Sequence, residues 1–243
     1  MVRRAIFGPQ AQLTTTELEA LQQLPQLHDL LLNGSPISDA DLARVGEMSQ
    51  LQWLDLSGTK ISDAGLAHLK GLNRLQTLDL SGTQITDAGL AHLGALPQLQ
   101  DLNLSGTKVT DAGLATLASL PQLKTLRLDH TEIKGPGLED LQALKSLRTL
   151  SLASTPIDDQ GLRHLAAVPQ IQSLQLGDTE ITDEGILHLK ELKDLKFLAI
   201  TRTFITDDGV GELLQAVPNV IIPSRQRRGV GYPAKDEAQT APR

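Results

Sequence analysis

The sequence repeats itself with a period of 24 residues over most of its length. Residues 78–93 read LDLSGTQITDAGLAHL, and residues 54–69 read LDLSGTKISDAGLAHL. The shared pattern LxxLxLxxTxITDxGLxxLxxLxx begins at eight places, which start units 1 to 8: Leu27, Leu51, Leu75, Leu99, Leu123, Leu147, Ile171 and Leu195. Eight copies in one register indicate that the chain builds one small structural unit again and again.

Each unit contains two hydrophobic periods. Residues 78–80 alternate between apolar and polar, which is the period of a half-buried strand. The second half of the unit spaces leucines three residues apart, as one face of a short helix does. Between the halves, Thr86 is predicted to bond a free amide of the first helical turn, and Asp87 to lie at the positive end of the helix dipole. Neither element is long enough to bury its leucines alone, so successive units must stack into an α/β solenoid.

This pattern resembles the leucine-rich repeat family, whose general signature is LxxLxLxxNxL. The resemblance covers residues 14–222, and ITDAGL at the helix start is similar to the bacterial 24-residue type and to the related GALA and cysteine-containing repeats. It implies a curved, right-handed α/β leucine-rich-repeat solenoid with an inner parallel β-sheet and outer short helices. It also implies a protein-interaction scaffold that binds through the concave sheet face.

One departure from the family signature is systematic. The family's Asn or Cys is replaced by Ser35 in unit 1 and then by Thr59, Thr83, Thr107, Thr131, Thr155, Thr179 and Thr203. At this position the chain leaves the strand and turns inward, where buried backbone groups need hydrogen-bond partners. A threonine hydroxyl can both donate and accept, so the sequence predicts a buried structural ladder of threonines.

The two ends of the solenoid must be covered, because they would otherwise expose open core and unpaired strand edges. Residues 1–13 are predicted to be flexible and residues 14–26 to form an N-terminal capping helix that has no strand of its own. Residues 27–222 then hold the eight units and a truncated C-terminal capping strand. Residues 223–243 lack an apolar pattern and are predicted to be a disordered tail.

Residues at the third, fifth and later outward places of each unit are expected to line the concave face. The candidates for protein binding are Asp29, Trp53, Asp55, Asp79, Asp101, Asn103, Arg127, Phe197 and Arg202. Exposed aromatic rings are candidate anchors, and the aspartates crowd the N-terminal half around Trp53. This favours a basic, partly apolar protein or peptide partner. An equally weighted alternative is that a solvated sheet face simply needs polar side chains.

Composition excludes several other classes of function. A net charge of −7 argues against a nucleic-acid partner, which would require a basic face. No apolar run approaches the length of a membrane span, and MVRRAIFGPQAQ is too short for the core of a signal peptide. The absence of cysteine rules out disulfides and thiolate zinc sites. We therefore expect a cytoplasmic monomer without a cofactor or metal.

The eighth place of units 5 to 7 carries His130, Ser154 and Asp178, the residue types of a hydrolase triad. Their order is wrong, because histidine must lie between serine and aspartate, whereas here two strand spacings, about 10 Å, separate it from the aspartate. The sequence predicts a surface pair between Asp178 and Arg202 instead, and no enzyme. Two further hypotheses are the recognition module of an effector or ubiquitin-ligase-like assembly, although the 13 residues before the cap leave no room for an F-box, and a structural spacer.

Overall fold

The computed structural model describes residues 2–11 and 13–223. Within them the chain winds into successive coils, each built from a three-residue strand and a short helical segment. Of the predicted disordered tail, all but Pro223 lies outside the described residues.

The strands form one parallel sheet in which spatial order equals sequence order. Equal places of neighbouring units face each other, as in the pairing of Leu54 with Leu78 and of Leu78 with Leu102. The strands are β1 (Arg4–Ile6), β2 (Asp29–Leu31), β3 (Trp53–Asp55), β4 (Thr77–Asp79), β5 (Asp101–Asn103), β6 (Thr125–Arg127), β7 (Thr149–Ser151), β8 (Ser173–Gln175) and β9 (Phe197–Ala199).

The outer layer consists of short helices that frequently tighten into 3₁₀ turns. The α-helices are α1 (Thr15–Gln22), α2 (Asp39–Val45), α3 (Asp63–Leu66), α4 (Asp87–Leu90), α5 (Asp111–Leu117), α6 (Asp159–Leu162), α7 (Asp183–Ile186) and α8 (Asp207–Ala216). The 3₁₀ segments are Ala67–Gly71, Leu93–Ala95, Pro136–Ala143, Arg163–Ala167 and Leu187–Glu191. With 24 residues per coil, the chain must return to the sheet after about two helical turns.

One continuous core of aliphatic side chains fills the space between the sheet and the helices. In unit 2 alone, Leu54, Leu56, Ile61, Leu66 and Leu69 are all fully buried. Burial of one such side chain contributes about 1.5–3 kcal/mol. Because the units repeat this pattern, leucine stacking from coil to coil holds the core, and none of the aromatic rings in the described part of the chain is fully buried.

The aspartate that begins each helix also joins neighbouring coils. The Asp63 carboxylate accepts hydrogen bonds from the Thr86 amide at 2.8 Å and from the Thr86 hydroxyl at 2.6 Å. The same pair of bonds, at 2.5–2.9 Å, links Asp39 to Ser62, Asp87 to Thr110, Asp159 to Thr182 and Asp183 to Thr206. At these five junctions the aspartate that begins one helix therefore also binds the residue that caps the helix of the next coil.

The glycine of the DxGL motif is explained by the same aspartate. A Cβ atom added at Gly89 would lie 2.3 Å from Asp63 Oδ1, and the equivalent distances at Gly65, Gly113, Gly185 and Gly209 are 2.1–2.4 Å. Any residue can adopt the helical backbone conformation at these positions. Glycine is therefore required by the close approach of the carboxylate. Glycine at this position leaves room for the aspartate side chain of the preceding coil.

The threonines predicted as a ladder are buried, with at most 5% of each residue exposed. Each hydroxyl donates to the backbone carbonyl three residues earlier at 2.5–2.9 Å, as Thr107 does to Leu104. These bonds lie within one coil and close the turn after the strand, whereas the links between coils come from the aspartates. Ser35, the equivalent in unit 1, has no hydrogen-bond partner for its hydroxyl among the described residues.

The structure differs from the prediction at the N-terminus. Residues 4–6 form β1, which pairs in parallel with β2, and Phe7 N–H donates to the Leu31 carbonyl at 2.8 Å. The capping helix α1 therefore does have a strand, and this part of residues 1–13 is ordered by the sheet. At the other end, Ile221 forms a single parallel bridge with Phe197. The strand β1 was not predicted, because its three residues lie before the first unit of the repeat.

Candidate functional site

The sheet presents eight of the nine predicted binding residues on its concave face. Arg127 is exposed, and the rest are half-buried, as expected for side chains that lie flat between neighbouring strands: Asp29, Trp53, Asp55, Asp79, Asp101, Asn103 and Phe197. The parallel register places third-place residues in one row and fifth-place residues in a second row. Strand neighbours in each row are about 4.8 Å apart.

Arg202 is the exception. It follows β9 in a left-handed conformation with φ of 60°, so its side chain leaves the rim of the sheet and not the concave face. Its Nε lies 3.0 Å from Asp178 Oδ1, which is the surface ion pair that the sequence predicts. Because it pairs with Asp178, Arg202 lies on the rim of the sheet and not on the concave face.

Arg4 of β1 covers part of the predicted acidic patch. Its guanidinium lies 2.8 Å from Asp29 Oδ2 through Nη2 and 2.9 Å through Nε, and 5.0 Å from the centre of the Trp53 ring. The charge and the ring face both attract the cation. Asp29 and Trp53 therefore already hold an arginine from the chain itself. This contact was not predicted, because β1 was not predicted.

Asp55, Asp79 and Asn103 close the turns that follow their strands. The Asp79 Oδ1 atom accepts from the Ser81 amide at 2.8 Å and the Ser81 hydroxyl at 2.6 Å, and Asp55 and Asn103 make the same two bonds to Ser57 and Ser105. Asn103 Nδ2 also donates to Asp79 Oδ2 at 2.9 Å. Asp79, a predicted binding residue, therefore closes the turn after its strand.

Arg127 replaces this acceptor in unit 5, and Asp129 lies two residues later. The Asp129 Oδ1 atom accepts from the Ala153 amide at 2.8 Å and from the Ser151 hydroxyl, both in the next coil. Asp129 thus closes the turn of unit 6 and not that of its own unit, and Arg127, which cannot accept these bonds, is exposed on the sheet. The change divides an acidic N-terminal half from a C-terminal half without acidic residues in its strands.

Asp101 is the carboxylate that remains available on the concave face. It lies between Thr77 and Thr125 in the sheet register. Among the described residues it has no hydrogen-bond or ion-pair partner, and it is half-buried. The Asp101 carboxylate therefore makes no described contribution to the hydrogen bonding of the fold.

Large apolar side chains are exposed at the two ends of the solenoid. Those in the described part of the chain are Val2, Ile6, Phe204, Leu214 and Ile221, which all belong to the first or last coil. On the sheet, half-buried Phe197 neighbours Ile221, which is 66% exposed. The C-terminal end of the concave face is therefore apolar.

A groove of about 500 Å³ lies on the rim where the strands end, lined by His130, Ser154, Asp178 and the adjacent Glu132 and Glu180. His130, Ser154 and Asp178 have φ of 55–59°, where units 1 to 4 have glycine. Asp178 pairs with Arg202 and not with the imidazole, so the three residues are not assembled as a triad.

Within residues 2–11 and 13–223, no group of three or more His, Cys, Asp or Glu side chains is arranged to hold a metal ion. In the same part of the chain, no helix combines the length and the apolar character needed to cross a bilayer.

Comparison with known proteins agrees with this geometry. A search of curated protein sequences finds no match. A crystal structure of an internalin from Listeria monocytogenes has the same fold, with a TM-score of 0.62 and 23% sequence identity, over 88% of this chain and 70% of that chain. A family profile described as a leucine-rich repeat region matches residues 14–221. Proteins of this kind generally mediate protein–protein interactions. The chain belongs to the leucine-rich repeat family.

Proposed function

We propose that this protein is a non-enzymatic scaffold that binds a partner protein or peptide on the concave face of its sheet. The proposal rests on the position of Arg4, whose guanidinium forms an ion pair with Asp29 and lies over the ring of Trp53. Within its own chain, the face holds a cation between a carboxylate and a ring. A basic, partly apolar partner would use the same chemistry on the neighbouring strands β3 to β5.

Asp101 is the centre of the proposed site. Its carboxylate has no partner among the described residues, and it lies two strands from Trp53 in the same row. Asp55 also has a free acceptor, since its described bonds use Oδ1 alone. An arginine or lysine of the partner placed over Asp101 would gain a charge-assisted hydrogen bond that becomes stronger as the interface excludes water.

The experiment is an affinity capture from native lysate with Asp101→Arg as the test variant. Glu132→Arg is the matched control, because Glu132 is exposed on the rim and makes the same change of charge. We expect Asp101→Arg to lose specific partners that the parent and Glu132→Arg retain. Identical protein sets from all three baits would refute the concave site, and no specific protein from the parent would favour the spacer hypothesis.

We also propose that the protein is a bacterial, cytoplasmic monomer of the GALA-like 24-residue type. The ITDxGL helix start supports the type, and the cysteine-free sequence suits a reducing compartment. Light scattering coupled to size exclusion tests the monomer, since a mass near twice 26.2 kDa would contradict it.

A further inference from the structure

The C-terminal half of the solenoid carries a row of cations on the rim where its strands begin. We call this the basic rim, which consists of Lys124, Lys145, Arg148, Lys193 and Lys196. The backbone amide of Arg148 donates to the Lys124 carbonyl, and that of Lys196 to Gln172, so these residues follow one another from coil to coil. Adjacent coils are about 4.8 Å apart, so Lys124 and Arg148 are direct neighbours, whereas the neutral Gln172 separates Arg148 from Lys196, which lie two coil spacings, about 10 Å, apart.

The five cations of the basic rim form no ion pair among the described residues. The ion pairs in the described part of the chain use Arg4, Arg44, His164, Lys190 and Arg202, and none of the five rim cations. Glu191 and Asp194 lie on either side of Lys193 and are acidic, so five cations and two carboxylates leave a local charge of +3 in a chain of net charge −7. Like charges at this spacing repel one another, so an anionic group lying across the rim would lower the electrostatic free energy.

Hydrogen bonds hold several of these cations in place. Lys124 Nζ donates to Gln100 Oε1 at 2.9 Å, and Lys196 Nζ donates to Gln172 Oε1 at 3.2 Å. The Arg148 guanidinium donates from Nη1 to two backbone carbonyls at 2.8 Å. An ammonium has three donors and a guanidinium has five, so each group keeps free donors while it loses little freedom on binding.

The concave face beside the basic rim continues the same chemistry. Its third-place residues in β6 to β8 are the hydroxyl-bearing Thr125, Thr149 and Ser173, which are half-buried and make no side-chain hydrogen bond among the described residues. The row ends at Phe197 and Ile221, the apolar end of the face. Donors for an anion and an anchor for an apolar side chain therefore lie next to each other.

We propose that the basic rim and this hydroxyl row bind an acidic protein segment that carries an aromatic or large aliphatic side chain. From Lys124 to the strand position of Ile221 is four strand spacings, about 19 Å, which an extended segment of about six residues would span. A protein fits better than a nucleic acid, because a continuous phosphate chain would meet Asp101 and Asp79 on the same face. This goes beyond the proposed function, since it concerns the other half of the face and the opposite charge.

The test uses the full chain and a fluorescein-labelled octapeptide, Glu-Asp-Phe-Glu-Glu-Phe-Glu-Asp, followed by fluorescence anisotropy at two salt concentrations. Lys124→Glu combined with Arg148→Glu reverses the basic rim. Lys60→Glu combined with Lys108→Glu makes the same charge change among exposed lysines after the strands, on the opposite rim. We expect the first pair to weaken binding about tenfold or more and the second pair by less than about twofold. Phe197→Ala should weaken binding about threefold or more.

Three probes decide the chemistry of the ligand. The octapeptide with Gln and Asn in place of its acidic residues should not bind, and added salt should weaken binding of the acidic peptide. The proposal fails if the acidic peptide does not bind, if both double variants weaken it equally, or if an oligothymidylate of the same charge binds more tightly. Asp101→Arg should not weaken binding of the acidic peptide. Failure of this proposal can therefore be distinguished from failure of the proposed basic-partner site, at which Asp101→Arg should abolish binding.

Discussion

The contact between the Asp63 carboxylate and Gly89 of the next coil offers a sharp test of how the coils are joined. A methyl group added at Gly89 would lie 2.3 Å from Asp63 Oδ1 and 3.0 Å from its Cγ. The carboxylate must move and weaken its bonds to Thr86 at 2.6 and 2.8 Å. Overpacking costs about 1–3 kcal/mol and a lost charge-assisted hydrogen bond about 1.5–3 kcal/mol, against a helix-propensity gain of about 0.5–1 kcal/mol. Gly89→Ala should therefore lower the free energy of unfolding by about 2 kcal/mol.

Removal of the carboxylate should remove most of that cost. Asp63→Ala should itself cost about 2–3 kcal/mol, because Thr86 loses both bonds. In that background the nearest remaining atom to the added methyl is Leu66 Cδ1 at 3.2 Å, the end of a flexible side chain. Gly89→Ala should then be close to neutral, which gives a coupling free energy of about 2 kcal/mol in the double-mutant cycle.

Urea unfolding followed by circular dichroism measures all four proteins of the cycle, provided that the slope of free energy against urea stays constant. Gly211→Ala in α8 is the control, because nothing lies within 4 Å of its added methyl. This variant should gain about 0.5–1 kcal/mol. If Gly89→Ala costs the same with and without Asp63, or stabilises like the control, the proposed contact does not determine the glycine.

Three other predictions concern single side chains. Thr107→Val should cost about 1–3 kcal/mol, since a buried carbonyl loses its hydroxyl donor, and an unchanged thermal melt would contradict this. Arg4→Ala should shift the emission of Trp53, the single tryptophan, and cost about 1 kcal/mol; an unchanged spectrum would argue against the stacking. The Thr14 amide and hydroxyl lower the pKa of Glu17 below its usual 4.5, so its stabilising effect holds above that pH and is lost as pH falls through the lowered value. Thr14→Ala removes the hydroxyl and keeps the amide, so it should raise the Glu17 pKa only in part, and an NMR titration in which that pKa is unchanged would contradict the contribution of the hydroxyl.

The repeating residues made the fold predictable, because each solves the same local problem in every coil. The apolar places alone predicted the parallel sheet and the buried leucines, since neither half of a unit can bury them without its neighbours. The N-terminal strand was missed because, unlike the other three-residue strands, it lies outside the 24-residue pattern that begins at Leu27. The role of Asp63 was predicted in part: its place at the helix start follows from the sequence, whereas its bonds to Thr86 depend on the next coil.

The candidate site was less predictable than the fold. Alternation in the strands identified the face on which Asp101 and Arg127 lie. It could not show that Asp79 closes a turn, because Ser81 approaches it only when the chain bends after β4. Nor could it show which charges remain unpaired, since pairing depends on side chains a full coil or more away.

The period, the class of fold and the residues that face the core follow from the amino-acid order, because these depend on interactions within one coil and on the stacking of similar coils. Tertiary structure alone decided which outward side chains are already occupied. Arg4 reaches Asp29 across 25 residues of sequence and then the ring of Trp53 one coil further on. Such contacts depend on which coils become neighbours and on the angle at which each chain end joins the sheet. The repeat pattern shows only the features that all units share. A contact that occurs once along the chain has no repeated sequence signal and cannot be predicted from the pattern.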